Sequence, residues 1–225
     1  MPQETQANAD FTSRHYDEAY FAWQAPVGEF GGWANLPKFD RFVGKTDTVL
    51  DFGCGGGFLL KKLGCLRRLG VEPSLQAAEI ARQNGIELFS RADEVPDNSV
   101  DVVISNNALE HALHPFIELK TLFAKLRPGG KIVFVVPCES IRYAYRAKDI
   151  NHHLYSWSPM GLGNLFTEAG FTVIESEPYI HKWPPYYRHI ARWGGRLGFD
   201  VACLVYGQLE RSWFQVRTIG EKPPK

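Results

Sequence analysis

Apolar residues along the chain fall into runs of two kinds, separated by glycine, proline and charged turns. Runs of the first kind are short and mostly apolar: Thr48–Phe52, Leu66–Val71, Ile86–Phe89, Val100–Ser105 and Lys131–Val136. Their valine, isoleucine and leucine content predicts strands, and Lys131–Val136 is apolar enough to be buried on both faces. Runs of the second kind are longer and amphipathic. Ser74–Asn84 predicts a helix with Ser74 at its N-cap and Gly85 at its end, and Pro115–Leu126 predicts another. Shorter helical segments are expected over Leu36–Val43 and from Phe58 to Leu63, and a turn at Pro128–Gly130. Strands that alternate with helices predict a parallel sheet joined by right-handed crossovers.

After Pro137 the alternation changes. Pro159–Ala169 predicts a helix closed by Gly170, Phe171–Glu175 a strand, and Trp213–Ile219 a last strand. Between the last two lies a helical insertion at about 184–211, which Gly194 and Gly195 should divide into two shorter helices. Residues 1–35 read as an arm ahead of a single α/β domain of 36–225. The arm concentrates aromatics, and Tyr16, Tyr20 and Trp23 share one helical face. That face either packs on the core or closes over a ligand as a lid.

Composition narrows the partners. Hydrophobic residues make up 44% and charged residues 22%, as in globular proteins. The 25 Lys and Arg balance the 25 Asp and Glu, so no global field draws in nucleic acid or an anionic membrane. A small molecule is the expected partner, and the aromatic and basic stretch His181–His189 is read as a pocket wall or a contact in a homodimer. Cys54, Cys65, Cys138 and Cys203 are scattered without C-x-x-C spacing, which predicts neither a zinc site nor a disulfide framework. Met1–Asp10 lacks the apolar core of a signal peptide and no run reaches the length of a membrane span, so the expected location is cytoplasmic.

The chemistry concentrates in Asp51–Gly57. Gly53, Gly55, Gly56 and Gly57 follow the first strand and let a ligand lie against bare backbone. Glu72 ends the second strand, where a carboxylate can accept hydrogen bonds from both hydroxyls of a ribose. A dinucleotide fingerprint wants glycine three places after Gly55, and Phe58 stands there. Asp51 would repel a pyrophosphate and suits a cationic ligand.

This run resembles the first motif of the class I S-adenosylmethionine (SAM)-dependent methyltransferases, and Gly70–Ser74 resembles their second. The resemblance covers about residues 48–137. It implies a Rossmann-like, seven-stranded α/β sheet, mostly parallel with the last strand antiparallel and helices on both faces. It also implies SAM as cofactor and S-adenosylhomocysteine (SAH) as product. Asp51, Gly53, Gly55 and Gly57 would hold the methionine end, Glu72 the ribose, Ala92 with Asp93 the adenine, and Asn106 the methionine amine. Arg91 occupies the place where many of these enzymes carry an aspartate.

Methyl transfer to an oxygen needs the acceptor's proton removed, or a metal to lower its pKa. Glu110 and His111 stand just past the fourth strand, and His153 in a loop past the fifth. Together with Trp157 they resemble the E-x-x-E-H and H-x-x-x-W pattern of metal-dependent small-RNA 2′-O-methyltransferases. A related E-x-x-E-H occurs in quinone-biosynthesis O-methyltransferases. Asn107 replaces the first glutamate, and the lost carboxylate weakens a magnesium-type site. His111 and His153 are therefore read as base candidates beside Glu110, a divalent metal is not favoured, and histidines that merely satisfy loop backbone are the bland alternative. The expected function is methyl transfer from SAM to an oxygen of a sugar precursor or a phenolic metabolite. An RNA terminus as acceptor and a nonenzymatic SAM-binding module are the other readings.

Overall fold

The computed structural model describes residues 3, 4, 6, 7, 10, 27–147 and 149–224. Tyr16, Tyr20 and Trp23 lie outside them. The elements run α1 (Gly28–Asn35), β1 (Thr48–Phe52), β2 (Arg67–Val71), α2 (Leu75–Gln83), β3 (Glu87–Phe89), β4 (Val100–Asn106), α3 (Pro115–Lys125), β5 (Leu126–Cys138), α4 (Pro159–Ala169), β6 (Thr172–Tyr179), α5 (Tyr187–Leu209) and β7 (Phe214–Glu221). The strands form one sheet in the order β3-β2-β1-β4-β5-β7-β6. Strands β1 to β5 pair in parallel, and β7 runs antiparallel between β5 and β6.

The core follows the two-residue period of the strands. Ile132, Phe134 and Val136 of β5 pack on one face with Leu119 and Leu122 of α3 and Leu162 and Phe166 of α4. Val133 and Val135 pack on the other with Phe39, Leu60, Leu63 and Ala81. A third, smaller cluster joins Ala34 of α1 to Phe199 and Cys203 of α5, with Phe30, Trp33, Trp183 and Tyr187 around them.

Three local expectations are corrected. Phe58–Leu63 starts no α-helix and makes only a 3-10 turn at Leu60–Lys62. The Arg68 guanidinium donates to the carbonyls of Leu60 and Leu63, which a continuing helix would have used itself. Leu36–Val43 forms two 3-10 turns, Leu36–Lys38 and Asp40–Phe42, separated at Phe39, whose ring is fully buried in the core. The Pro128–Gly130 turn lies inside β5, where Leu126 already pairs with Val100 and the register shifts before Lys131 meets Val102. The late insertion is two helical pieces meeting at Gly195, whose backbone (φ 59°, ψ −158°) is far from helical.

The antiparallel β7 matters for the site. Because it runs against β5, its first residues, Phe214 and Gln215, pair with Cys138 and Pro137. Chain from the far end of the sequence thereby reaches the rim where the loops of the parallel strands open.

Candidate functional site

A cleft of ≈ 840 Å³ lies over that rim, lined by Gly53–Gly56 after β1, Glu72 after β2, Asn106–Ala108 after β4 and Glu139 after β5. It sits where the strand order turns from β1 to β4, the switch point at which open α/β sheets bind ligands.

At the glycine end the loop is held in a shape only glycine adopts freely. Gly53, Gly55 and Gly57 have φ of 74°, 53° and 71°. A Cβ on Gly53 would also lie 2.3 Å from the Ala108 Cβ. Glu72 braces the loop: its Oε2 accepts the Gly55 amide at 2.8 Å and its Oε1 the Ser74 amide at 2.9 Å. Ser74 precedes α2 as expected, yet its side chain makes no cap bond to the helix. Burial raises the Glu72 carboxyl to about 6 against the pull of those two amides. Burial first, and the charge of Glu72 second, push Asp51 well above the ordinary carboxylate range. A buried and a half-buried acid side by side each hold their proton more readily, and a cation in the cleft would favour their charged forms.

The opposite charge lies at Lys38. Its side chain is 3% exposed, lines the cleft, and donates to Asn106 Oδ1 and Gln215 Oε1, both at 2.9 Å. Gln215 Nε2 in turn donates to Asn107 Oδ1 at 3.0 Å. Desolvation lowers Lys38 to about 7. The oxygens that hold its ammonium are amide oxygens rather than carboxylates. Neither Lys38 nor Gln215 was singled out from sequence.

The third part of the cleft is imidazole-rich. The amides of Leu154 and Tyr155 donate to the Glu110 carbonyl at 2.9 and 3.3 Å, which draws the loop after β5 against the turn after β4. His111 and His153 meet with ring centroids 5.0 Å apart. His153 Nδ1 is 2.7 Å from Glu139 Oε1, so the carboxylate fixes the tautomer and leaves Nε2 as the accepting nitrogen. Glu110 is fully buried beneath them, 3.8 Å from His111 Nε2, and neither carboxylate oxygen has a hydrogen-bond partner among the described residues. Burial raises Glu110 to about 8 and lowers His111 to about 3. One ligand atom from each of Glu110, His111 and His153 lies within 4.8 Å of the others. Two imidazoles and an orphaned carboxylate are a donor set that fits a divalent ion of the zinc or manganese kind.

Of the residues picked from sequence, Asp51, Gly53, Gly55, Glu72, Asn106, His111 and His153 line the cleft. Gly57 and Glu110 stand behind the lining. Ala92 is buried in the core on the α3 face, and Asp93 is engaged by the Arg91 guanidinium at 2.9 Å, so the structure does not bring this pair to the cleft wall. Gly28, Gly31, Gly32 and Asn35 of α1 form another part of the wall, together with His181, Trp183 and Trp213.

The profile of a methyltransferase domain matches residues 16–176. The chain belongs to the class I SAM-dependent methyltransferases. A ribosomal protein L11 methyltransferase of Burkholderia mallei is 37% identical over 101 residues, 41% of this chain and 33% of its own. A ubiquinone biosynthesis O-methyltransferase of Idiomarina loihiensis is 30% identical over 159 residues, 62% of this chain and 65% of its own. The chain thus spans about a third of the first relative and less than two thirds of the second. Among solved structures, a SAM-dependent methyltransferase from Thermotoga maritima superposes with a TM-score of 0.67 at 18% identity, covering 94% of this chain and 99% of the other. Haemonchus contortus phosphoethanolamine N-methyltransferase 2 gives 0.66 at 19% identity, covering 95% and 59%. These likenesses carry the fold. The matched domain includes Lys38, Asp51, Glu72, Glu110 and His153 of this methyltransferase, but ends before His181, α5 and Gln215.

Proposed function

We propose that this methyltransferase holds SAM along the glycine loop and transfers its methyl group to a hydroxyl of a small aromatic acceptor, a phenol in preference to a saccharide. The observation that carries the reading is the pairing, in one cleft, of a carboxylate-held imidazole (His153 on Glu139) with walls of Trp183 and Trp213. Flat aromatic walls suit a ring, and the relative matched over the larger share of this chain is named for quinone biosynthesis. Asp51 faces the positive methionine end, Glu72 accepts from the ribose hydroxyls, and Lys38 pairs with the methionine carboxylate. The acceptor O–H gives its proton to His153 Nε2 while the oxygen forms the new O–CH₃ bond. The S–CH₃ bond breaks onto sulfur, leaving the neutral thioether SAH. Alignment of oxygen, methyl and sulfur supplies most of the acceleration, on the order of 7–11 kcal/mol for well-oriented partners.

A second reading rests on the orphaned oxygens of Glu110. Glu110, His111 and His153 would hold a divalent ion, which would lower the pKa of an acceptor hydroxyl. SAH calorimetry, followed by methyl transfer from SAM to matched panels of phenols and sugars, tests the reading. SAH binding with turnover of sugars alone would reverse the choice of acceptor, and SAH binding without turnover of either panel would favour the nonenzymatic module.

A further inference from the structure

Helix α5 packs on the domain through one narrow face, with Phe199, Cys203 and Gly207 buried. The opposite face is apolar too. Beyond the break at Gly195, Leu197, Val201, Leu204, Val205 and Leu209 are all exposed, the first and last by 77% and 79%. Their spacing of i, i+4, i+7, i+8 and i+12 sets them on one stripe. Asp200 is the one charged residue from Leu197 to Leu209, and it is drawn inward by His181 Nε2 at 3.1 Å and Arg196 at 3.5 Å. A helix that is apolar on both faces is stable at a surface only when something apolar covers it.

The flanking charges say what covers it. Arg188, Arg192 and Arg211, all exposed, bracket the stripe, and Tyr186 and Trp193 stand beside the first two. The acids of the stretch are engaged: Asp200 as described, and Glu210 by Lys182 at 2.5 Å. If two copies met stripe to stripe in the antiparallel sense, the Arg192 end of one would approach the Arg211 end of the other, like charges at both ends. An anionic lipid surface complements every part of the pattern. The aliphatic stripe enters the acyl boundary, the arginines meet lipid phosphates, and Trp193 sits at the interface. No helix among the described residues is long and apolar enough to cross a membrane. We infer that α5 is an interfacial helix that docks this methyltransferase on an anionic membrane surface. The zero net charge of the whole chain hides this local patch. The inference stands independently of the methyl acceptor.

Sedimentation of the full chain with vesicles of phosphatidylcholine, and with vesicles in which part of that lipid is replaced by phosphatidylglycerol, reads the interaction directly. The protein should partition to the anionic vesicles, release as salt is raised, and bind neutral vesicles at least about tenfold more weakly. Leu197→Gln combined with Leu204→Gln and Leu209→Gln should lower partitioning to anionic vesicles by more than about tenfold. Arg192→Glu with Arg211→Glu should lower it by about fivefold or more per residue, and this exposed pair keeps the test open if the leucine variant does not fold. Absence of binding to anionic vesicles, equal binding to both kinds, or unchanged binding by folded variants overturns the inference. A solution dimer that the leucine variant dissociates assigns the face to a second copy and overturns it as well.

Discussion

The Lys38 ammonium donates to Gln215 Oε1 at 2.9 Å, tying a turn ahead of β1 to the first residues of β7. The same ammonium holds Asn106 at the end of β4, where SAM's methionine end is proposed to lie. Lys38→Met should weaken SAH binding by roughly tenfold or more, the loss of one charge-assisted hydrogen bond. It should leave 5′-methylthioadenosine binding nearly unchanged, because that nucleoside lacks the carboxylate. Calorimetry with the two ligands checks this. An equal loss for both would move Lys38 from the carboxylate to the loop scaffold.

The same contact gives SAH binding a pH dependence. Lys38 sits at about 7 in the free protein, and a bound carboxylate favours its ammonium and raises that value. The contribution is full below about 7 and is lost as pH rises through the raised value of the complex. Affinity should therefore fall above neutrality by up to about tenfold per pH unit, with proton uptake on binding. Calorimetry in buffers of different ionisation heats measures the uptake, and Lys38→Met should abolish both slope and uptake.

The glycine loop makes a structural prediction. Gly53→Ala meets a positive φ of 74° and a contact of 2.3 Å with Ala108 Cβ. Strain of this kind costs about 1–3 kcal/mol, so urea unfolding should show a loss of that size together with weaker SAH binding. Adding Ala108→Gly removes the overlap but not the φ strain, and should recover only part of the loss.

The parallel strands were legible because each is a short run rich in apolar residues, with β1 buried along most of its length, and the loop at Asp51–Gly57 because positive φ values recruit glycine. Glu72 was legible from its place after β2. Lys38 and Gln215 were not, since their meeting depends on β7 returning antiparallel beside β5, a register no local pattern announces. Phe58–Leu63 misled for a related reason: its leucines carry a helical spacing, while their carbonyls are taken by Arg68 from the next strand. The exposed apolar face of α5 was not legible, because periodicity cannot say which of two apolar faces is covered.

Base and metal make opposite predictions for the same three side chains. With His153 as base, His153→Ala should lower kcat by about 10²–10⁴-fold. Glu139→Gln should cost less, because it keeps a hydrogen bond to Nδ1 and loses only the charge that steadies the imidazolium. A chelator should leave the wild type unaffected, and kcat/KM should climb on the acid side and then level. With a metal, chelation should abolish activity, and manganese or zinc should raise the melting temperature of the wild type but not of His111→Ala. Asn107→Glu separates the two further. Asn107 Oδ1 now accepts from Gln215 Nε2 at 3.0 Å, a bond a carboxylate could also accept. An added carboxylate should tighten metal binding only if Glu110, His111 and His153 already bind one ion as a set. The base is the expected outcome, since Nε2 of a carboxylate-held imidazole is a proton acceptor without further help. Full activity in the doubly substituted His111→Ala, His153→Ala protein would sink both mechanisms and leave alignment alone as the source of catalysis.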